Sequence, residues 1–297
     1  MKVPAFLRKM IREQLARRLP EYGYELVYVR GRNPLVVADV IQERLITCNF
    51  CGMVFRRAMP DHPESLACQG CDAIARERVV YQCILDELSQ RAGEPLLFFR
   101  NAPPARQLTL LECSPRYNEQ RRKIYQETLG RYLASDYDML AHRADIKLDL
   151  TNDKDVAPFE GSVDIIICAH VLEHIQDYRK ALVNLRRLLA PGGFMVLQVP
   201  LLESRSLPVT WDEFHQDNTR VYHRFGFDLL FDLEQIFNRV KPVVGLLDFE
   251  ITSPEIKRDK YEILKGMRER VTILGKDRLL YNGLGSPDLC DAFVVYK

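Results

Sequence analysis

Residues 159–200 read FEGSVDIIICAHVLEHIQDYRKALVNLRRLLAPGGFMVLQVP, and their alternation of apolar and polar positions sets the architecture to expect. Val163 to Cys168 is an apolar run of strand length, Asp177 to Leu189 carries apolar residues at helical spacing, and Gly193 to Pro200 is a second apolar run. Pro191-Gly192-Gly193 stops the helix, because proline lacks the amide a further turn requires and glycine accepts the backbone of a helix stop. Strand, helix and strand of this size form a crossover between parallel neighbours.

The same texture runs from Gln107 onward. Strands are expected at Leu108 to Cys113, Arg131 to Asp136, Ile146 to Asp149, Val163 to Cys168, Gly193 to Pro200, Val240 to Phe249 and Ala292 to Tyr296. Helices are expected near Asn118 to Leu129, Asp177 to Leu189 and Phe225 to Asn238. Seven strands fit one doubly wound α/β domain. Within Thr109 to Tyr137 a strand, turn, helix and strand end in Asp136, a position where a carboxylate can accept both hydroxyls of a ribose. Asp138 is the nearby alternative.

The N-terminal third has a different character. Cys48, Cys51, Cys68 and Cys71 form a C-x2-C-x16-C-x2-C pattern whose two pairs can converge on one tetrahedral ion. Four thiolates saturate Zn2+, so the expected role is structural; a redox role is the alternative, and His62 lies between the pairs. Gly52 and Gly70 are expected to give the knuckles their turn freedom, and the remaining cysteines, Cys83, Cys113, Cys168 and Cys290, to pack. Pro4 to Leu19 has the spacing of a basic amphipathic helix, either docked on the protein or lying on a membrane surface. Gly31 to Leu45 is strand-like or loop, Ala73 to Arg91 a helix with Val79, Val80, Cys83, Ile84 and Leu88 on one side, and Ala92 to Pro104 a linker. The division expected is 1–97 for the N-terminal helix and metal module and 98–297 for the α/β domain, with insertions at 201–224 and 251–288.

Composition narrows the partners. The 297 residues are 47% apolar, and 42 Lys and Arg balance 41 Asp and Glu, so no overall field favours nucleic acid or an anionic membrane. No apolar run reaches membrane-spanning length and residues 1–18 do not form a secretory signal, which gives a cytoplasmic expectation.

Residues 159–200, with VLEH and PGG in that order, resemble the second half of class I methyltransferases of the type 11 kind. The preceding Cys68-Gln-Gly-Cys71, with Arg76 and Arg78, resembles cysteine-paired segments ahead of some bacterial members. The resemblance implies an α/β fold with a seven-stranded Rossmann-like methyltransferase sheet behind a small zinc-ribbon-like module, and S-adenosyl-L-methionine as cofactor. It implies that Glu112 and the turn containing Ser114 face the methionine part, Asp136 the ribose, Asp149 and Leu150 the adenine, that His170 lines the pocket near the methyl donor, and that Tyr137 also contacts the cofactor. One departure stands out: the family's glycines after the acid are replaced by Cys113-Ser114-Pro115-Arg116, and Pro115 removes an amide donor.

Methyl transfer from a sulfonium asks the protein to align donor and nucleophile and, for a hydroxyl acceptor, to take one proton. In Leu201 to Arg224, His215 is the expected base, with Asp217 orienting it and His223 nearby. This polar lining favours a small-molecule or glycan acceptor and O-methylation. Two other readings stay open: a catalytically inactive binding or scaffold protein, motivated by the altered first turn, and an RNA methyltransferase, motivated by the basic helix with Arg76 and Arg78. The charged stretch Thr252 to Asn282 is expected to be a solvated insertion, a homodimer contact or an acceptor clamp.

Overall fold

The structure is a computed structural model that describes residues 24–27, 35–38, 43–58, 67–140, 142–203, 206–214, 219–226, 228–244, 247–248 and 292–297. The expected N-terminal helix, His62, His215, Asp217, Cys290 and the whole 251–288 insertion lie outside the described residues.

Each strand expected from Gln107 onward is present. In chain order β5 (Thr109–Cys113), β6 (Arg131–Asp136), β7 (Ile146–Lys147), β8 (Val163–Ala169), β9 (Leu189–Gln198), β13 (Arg239–Val244), β14 (Leu247–Asp248) and β15 (Ala292–Tyr296) form one sheet. Its spatial order is β14-β13-β15-β9-β8-β5-β6-β7. Five strands, β7 through β9 across the middle, are parallel, and β15 runs antiparallel between β9 and β13. The two-residue β14 pairs antiparallel with β13, so the one strand expected over Val240 to Phe249 is two antiparallel segments.

Alternation divides the side chains between two cores, because successive residues of a strand face opposite sides. Ile166, Cys168, Met195, Leu197, Phe293 and Val295 face α4 (Tyr178–Leu188) and α5 (Leu229–Ile236). Helix α4 buries Ala181, Leu182, Leu185 and Leu188, and Asp177 caps it by accepting the Lys180 amide at 3.0 Å. On the other side Leu110, Ile165, Ile167, Phe194, Val196 and Val294 share one core with α1 (Ala75–Ala92) and with α2 (Glu119–Thr128). Helix α1 uses the predicted stripe, with Val79, Val80, Cys83, Ile84 and Leu88 all buried. The short α3 (Asp153–Val156) precedes β8.

Ahead of these lie two antiparallel pairs, β1 (Tyr24–Val27) with β2 (Leu35–Ala38) and β3 (Glu43–Thr47) with β4 (Val54–Ala58). The first cysteine pair sits in the turn between β3 and β4. Phe50, inside that turn, is fully buried: it stacks on Tyr81 at 4.3 Å and Phe99 at 5.3 Å and meets the edge of Tyr125 at 5.0 Å. The expected linker is therefore packed. Phe99 and Arg100 donate their amides to the carbonyls of Asn49 and Phe50 at 2.9 and 3.0 Å, which fixes the segment against the knuckle.

The insertion after β9 also has structure. Strands β10 (Leu201–Glu203), β11 (Leu207–Pro208) and β12 (His223–Gly226) make a small sheet in the order β10-β12-β11. Strand β12 occupies the residues expected to begin a helix, so α5 starts later, at Leu229.

Because Phe50 joins the cysteine turn to the main core, Phe50→Ala should cost about 3–5 kcal/mol. Urea unfolding followed at once by far-ultraviolet circular dichroism and tyrosine fluorescence should give one shared transition at a lower midpoint. Two separate transitions in the wild type would show instead that the turn and sheet fold independently.

Candidate functional site

The parallel strands end together, and their C-terminal ends open into a cleft of about 1190 Å³. Parallel crossovers place loops and helix starts at this end, and ligands of such sheets bind there. The cleft is lined by Glu112 to Arg116 after β5, Asp136 and Tyr137 after β6, Asp149 to Thr151 after β7, Ala169 to Val171 after β8 and Gln198 at the end of β9. Thus all seven residues read from sequence as cofactor contacts are brought together.

Their chemistry differs. Asp136 is 3% exposed; one oxygen accepts the Asp138 amide at 2.8 Å, whereas Oδ2 is buried without a hydrogen-bond partner, with His142 Nε2 3.8 Å away. Asp138 instead accepts the Leu140 amide at 3.0 Å. Asp149 Oδ1 accepts the amide and hydroxyl of Thr151 at 2.8 and 2.7 Å. The Leu150 carbonyl is held by Asn184 at 2.9 Å. Tyr137 is exposed at the rim.

Glu112 is committed to the Tyr132 hydroxyl, which donates to it at 2.7 Å. Burial pushes its carboxyl pKa up, while Arg121 and that hydroxyl oppose the rise. Ser114 adopts a left-handed backbone, with φ of 45°. Its amide donates to the Ser135 carbonyl at 2.8 Å. Arg116 reaches to Asp72 and Glu77 and, with Pro115, forms part of the wall of the open cleft.

At the ends of β8 and β9 lies a cluster the sequence reading did not assemble. His170 has φ of 55°, and its amide donates to the Gln198 carbonyl at 2.8 Å. Its Nδ1 is 3.5 Å from Glu173 Oε1, and its Nε2 is buried without a partner. Glu173, 2% exposed, also lies 4.0 Å from His174 Nε2. Burial opposes its charge, but the two imidazoles outweigh burial and hold its pKa below the usual carboxylate value. Gln198 is fully buried, and both atoms of its amide lack partners. Glu173 was visible only as part of the VLEH marker; the signal for Gln198 was one polar residue in an otherwise apolar strand.

Of the residues expected from sequence to do chemistry, only His223 is described. Its Nε2 is 2.9 Å from the Gln176 carbonyl and its ring packs against Tyr178 and Phe225, and it is not among the cleft-lining residues. Thr219 and Arg220 line the cleft, and the Arg220 carbonyl is 2.7 Å from His174 Nδ1.

On the far side of α1 the four cysteine sulfurs lie within 4.8 Å of one another, the one such metal-competent group among the described residues. Cys48 and Cys71 sulfurs are 3.7 Å apart, Cys51 and Cys68 3.5 Å. A zinc tetrahedron with bonds of about 2.3 Å has edges of about 3.8 Å, so the donor set fits. The knuckles repeat one hydrogen-bond pattern: Cys48 and Cys68 donate to the carbonyls of Met53 and Ala73, and Gly52 and Asp72 donate back to Cys48 and Cys68. The left-handed residues are Gly52 and Asp72, with φ of 80° and 59°. Gly70 therefore has a different role from the turn freedom expected: its missing Cβ makes room for Met53, whose sulfur would stand 2.9 Å from it.

Hydrogen bonding with Cys48 lowers the Cys51 thiol to about 7 and depresses Cys68 as well. Arg78 is fully buried and donates to the Ala73 carbonyl at 2.6 Å; burial pulls its pKa down, and the thiolates of Cys48, Cys68 and Cys71 oppose this. Its guanidinium faces the cysteine site rather than solvent, which removes Arg78 from the surface an RNA would need.

A methyltransferase-domain family model matches residues 81–240, from within α1 to β13. A 74-residue stretch is 35% identical to fumosorinone synthetase of Cordyceps fumosorosea (strain ARSEF 2679), covering 25% of this chain and 2% of that protein. The chain thus spans a very small part of that relative. A SAM-dependent methyltransferase from Archaeoglobus fulgidus aligns at 15% identity over 73% of this chain and 94% of its own, with a TM-score of 0.39. The 1,6-didemethyltoxoflavin-N1-methyltransferase of Burkholderia thailandensis, solved with 1,6-didemethyltoxoflavin and S-adenosylhomocysteine, aligns at 17% identity over 55% and 68%, with a TM-score of 0.36.

Glu77 supplies a pH test. Burial works against its charge, yet Arg121 and Arg116 outweigh that and lower its pKa from the ordinary 4.5. A depressed carboxylate stabilises the fold fully above its unfolded value and loses that contribution as pH falls through the folded value. Urea midpoints measured from about pH 6 to pH 3 should drop more steeply in the wild type than in Glu77→Gln. Equal slopes would contradict the assigned pairing.

With the family model spanning more than half of its residues, the chain belongs to the methyltransferase domain family.

Proposed function

We propose that this chain is an S-adenosylmethionine-dependent methyltransferase that methylates a hydroxyl oxygen of a polar small molecule or glycan, with His170 as proton acceptor. The supporting observation is the pair of unsatisfied polar groups at the ends of β8 and β9: the buried His170 Nε2 and the buried Gln198 amide. A buried polar group without a partner costs about 1–3 kcal/mol, so such groups lining a cleft favour a ligand that completes them.

S-adenosylmethionine supplies an electrophilic methyl group on a sulfonium. Asp136 Oδ2, also unpartnered, suits the ribose hydroxyls, Asp149 and Leu150 the adenine, and Glu112 and Ser114 the amino-acid portion, with Tyr137 at the rim of the cofactor site. Glu173 orients His170: Nδ1–H toward the carboxylate leaves Nε2 bare on the cleft side, the arrangement of a base and its orienting acid. Nε2 takes the acceptor's hydroxyl proton as the oxygen bonds to the methyl carbon and the sulfur keeps the electron pair of the broken C–S bond. The Gln198 amide, one donor and one acceptor side by side, favours an acceptor bearing further hydroxyl groups. His215 with Asp217 is the second proposed acid–base pair, because Thr219 and Arg220 beside that segment line the cleft.

The cysteine quartet is proposed to hold one structural Zn2+, with Arg78 offsetting the negative charge of four thiolates. Such a site needs reduced thiols, which agrees with a cytoplasmic setting. Residues 1–97 and 98–297 are proposed as a division of labour, accessory and catalytic. No helix among the described residues is long and apolar enough to cross a membrane.

Calorimetry with S-adenosylhomocysteine, followed by methyl-transfer assays on phenols, sugars and glycans, tests this reading. Asp136→Asn should weaken cofactor binding about tenfold. His170→Ala should lower kcat by about 10²–10⁴-fold. Gln198→Leu should raise the acceptor KM about tenfold without altering cofactor affinity. A Gln198→Leu enzyme with unchanged acceptor KM would remove the polar-acceptor assignment. Metal analysis of protein purified without chelator should find one zinc per chain, lost in Cys68→Ser.

A further inference from the structure

The cofactor turn and the second cysteine knuckle are joined by one side chain. Arg116 donates from Nη2 to the Asp72 carbonyl at 2.6 Å and from Nη1 to the Asp72 carboxylate at 3.0 Å, and it reaches both oxygens of Glu77 at 3.2 Å. Asp72 directly follows Cys71, and its amide closes the knuckle on the Cys68 carbonyl at 2.8 Å. Arg121 completes a ring: it pairs with Glu77 and donates to the Arg116 carbonyl at 2.6 Å. The main chain and side chain of Arg116 are both held. Glu77 in turn accepts the Ile74 amide at 2.8 Å, which locks the ring to the start of α1.

A lone exposed ion pair contributes little, but a guanidinium that grips a carbonyl and two carboxylates has its direction fixed. The turn it holds needs such support. The amide of Ser114 is spent on Ser135 and Pro115 has none, so at these two positions the loop offers a ligand no backbone donor.

We infer that Arg116 is a positioning residue that ties the cofactor loop to the second knuckle, so that an ion in the four-cysteine site and an S-adenosyl ligand in the cleft strengthen one another's binding. This rests on the cofactor and zinc readings proposed above. The coupling runs from the ion through Cys71 and Asp72 to Arg116, and from there to Ser114 and Pro115 on the cleft wall. By linkage it is reciprocal, with equal factors in both directions.

The test uses the full chain in reducing buffer. S-adenosylhomocysteine affinity is measured by calorimetry on zinc-loaded and chelator-stripped protein, for wild type, Arg116→Ala and Arg116→Lys, with thermal melts confirming folded protein. Stripping should weaken ligand binding to the wild type about tenfold, and Arg116→Ala should do the same while loaded, within the usual range of coupling between sites. Stripping Arg116→Ala should then add less than about twofold, the non-additivity expected of one connected path. Arg116→Lys should recover only part of the loss, because an ammonium cannot fork onto the same acceptors.

The reverse arm measures zinc affinity by competition with a chromogenic chelator. S-adenosylhomocysteine should raise it about tenfold in the wild type and leave Arg116→Ala unchanged. This arm carries the test if stripping unfolds the chain. Ligand affinity in Arg116→Ala within about twofold of wild type, or losses that simply multiply, would overturn the inference. A wild type that binds no S-adenosylhomocysteine at millimolar concentration would sink the cofactor reading, and this inference with it. The wild-type titration alone reveals that case.

Discussion

Five parallel strands that terminate at one level impose a strict sorting on the side chains around them. Along the middle of the sheet both faces are sealed, by α4 and α5 on one side and α1, α2 and the cysteine turn on the other. A polar group there would lose water with nothing in return. The unpartnered polar groups of Asp136, His170 and Gln198 fall at or just past strand ends, where a ligand can meet them. The reactive region is thus a consequence of parallel pairing before it is a matter of particular residues.

The cysteine unit belongs to that arrangement in a physical sense. Its first knuckle inserts Phe50 among Tyr81, Phe99 and Tyr125, and its second leads through Asp72 into the charged ring beside the cleft. A small unit with few apolar residues of its own gains stability by sharing the core of a larger neighbour. In exchange it covers one face of the sheet beside the turn that carries Ser114 and Arg116.

Much of this was legible in the residues. The continuous apolar run Val163 to Cys168 marked β8 within a residue, because burial on both faces leaves little room for another pattern, whereas β9 begins at Leu189, four residues before the run expected from Gly193. The cysteine spacing and Asp136 were equally plain. What escaped was contact between distant segments: Arg116 and Asp72 are 44 residues apart, and nothing local to either announces the other. The 92–104 stretch, rich in proline and glycine, looked like a connector, although its amides were needed by the knuckle carbonyls. The small sheet after β9 was missed for a related reason, since β10, β11 and β12 are two to four residues long and carry no periodic signal.

Strand β15 sits between β9 and β13, although it follows β13 by almost fifty residues in the chain. As the polypeptide emerges in order, β13 and its helix α5 are made early but have no hydrogen-bonded seat on the parallel body until Ala292–Tyr296 arrives to bridge them. The wall of the sheet beside β9 is consequently assembled last. Such non-local pairing slows folding and leaves an open strand flank meanwhile, so this half of the molecule is where help from a chaperone would matter most.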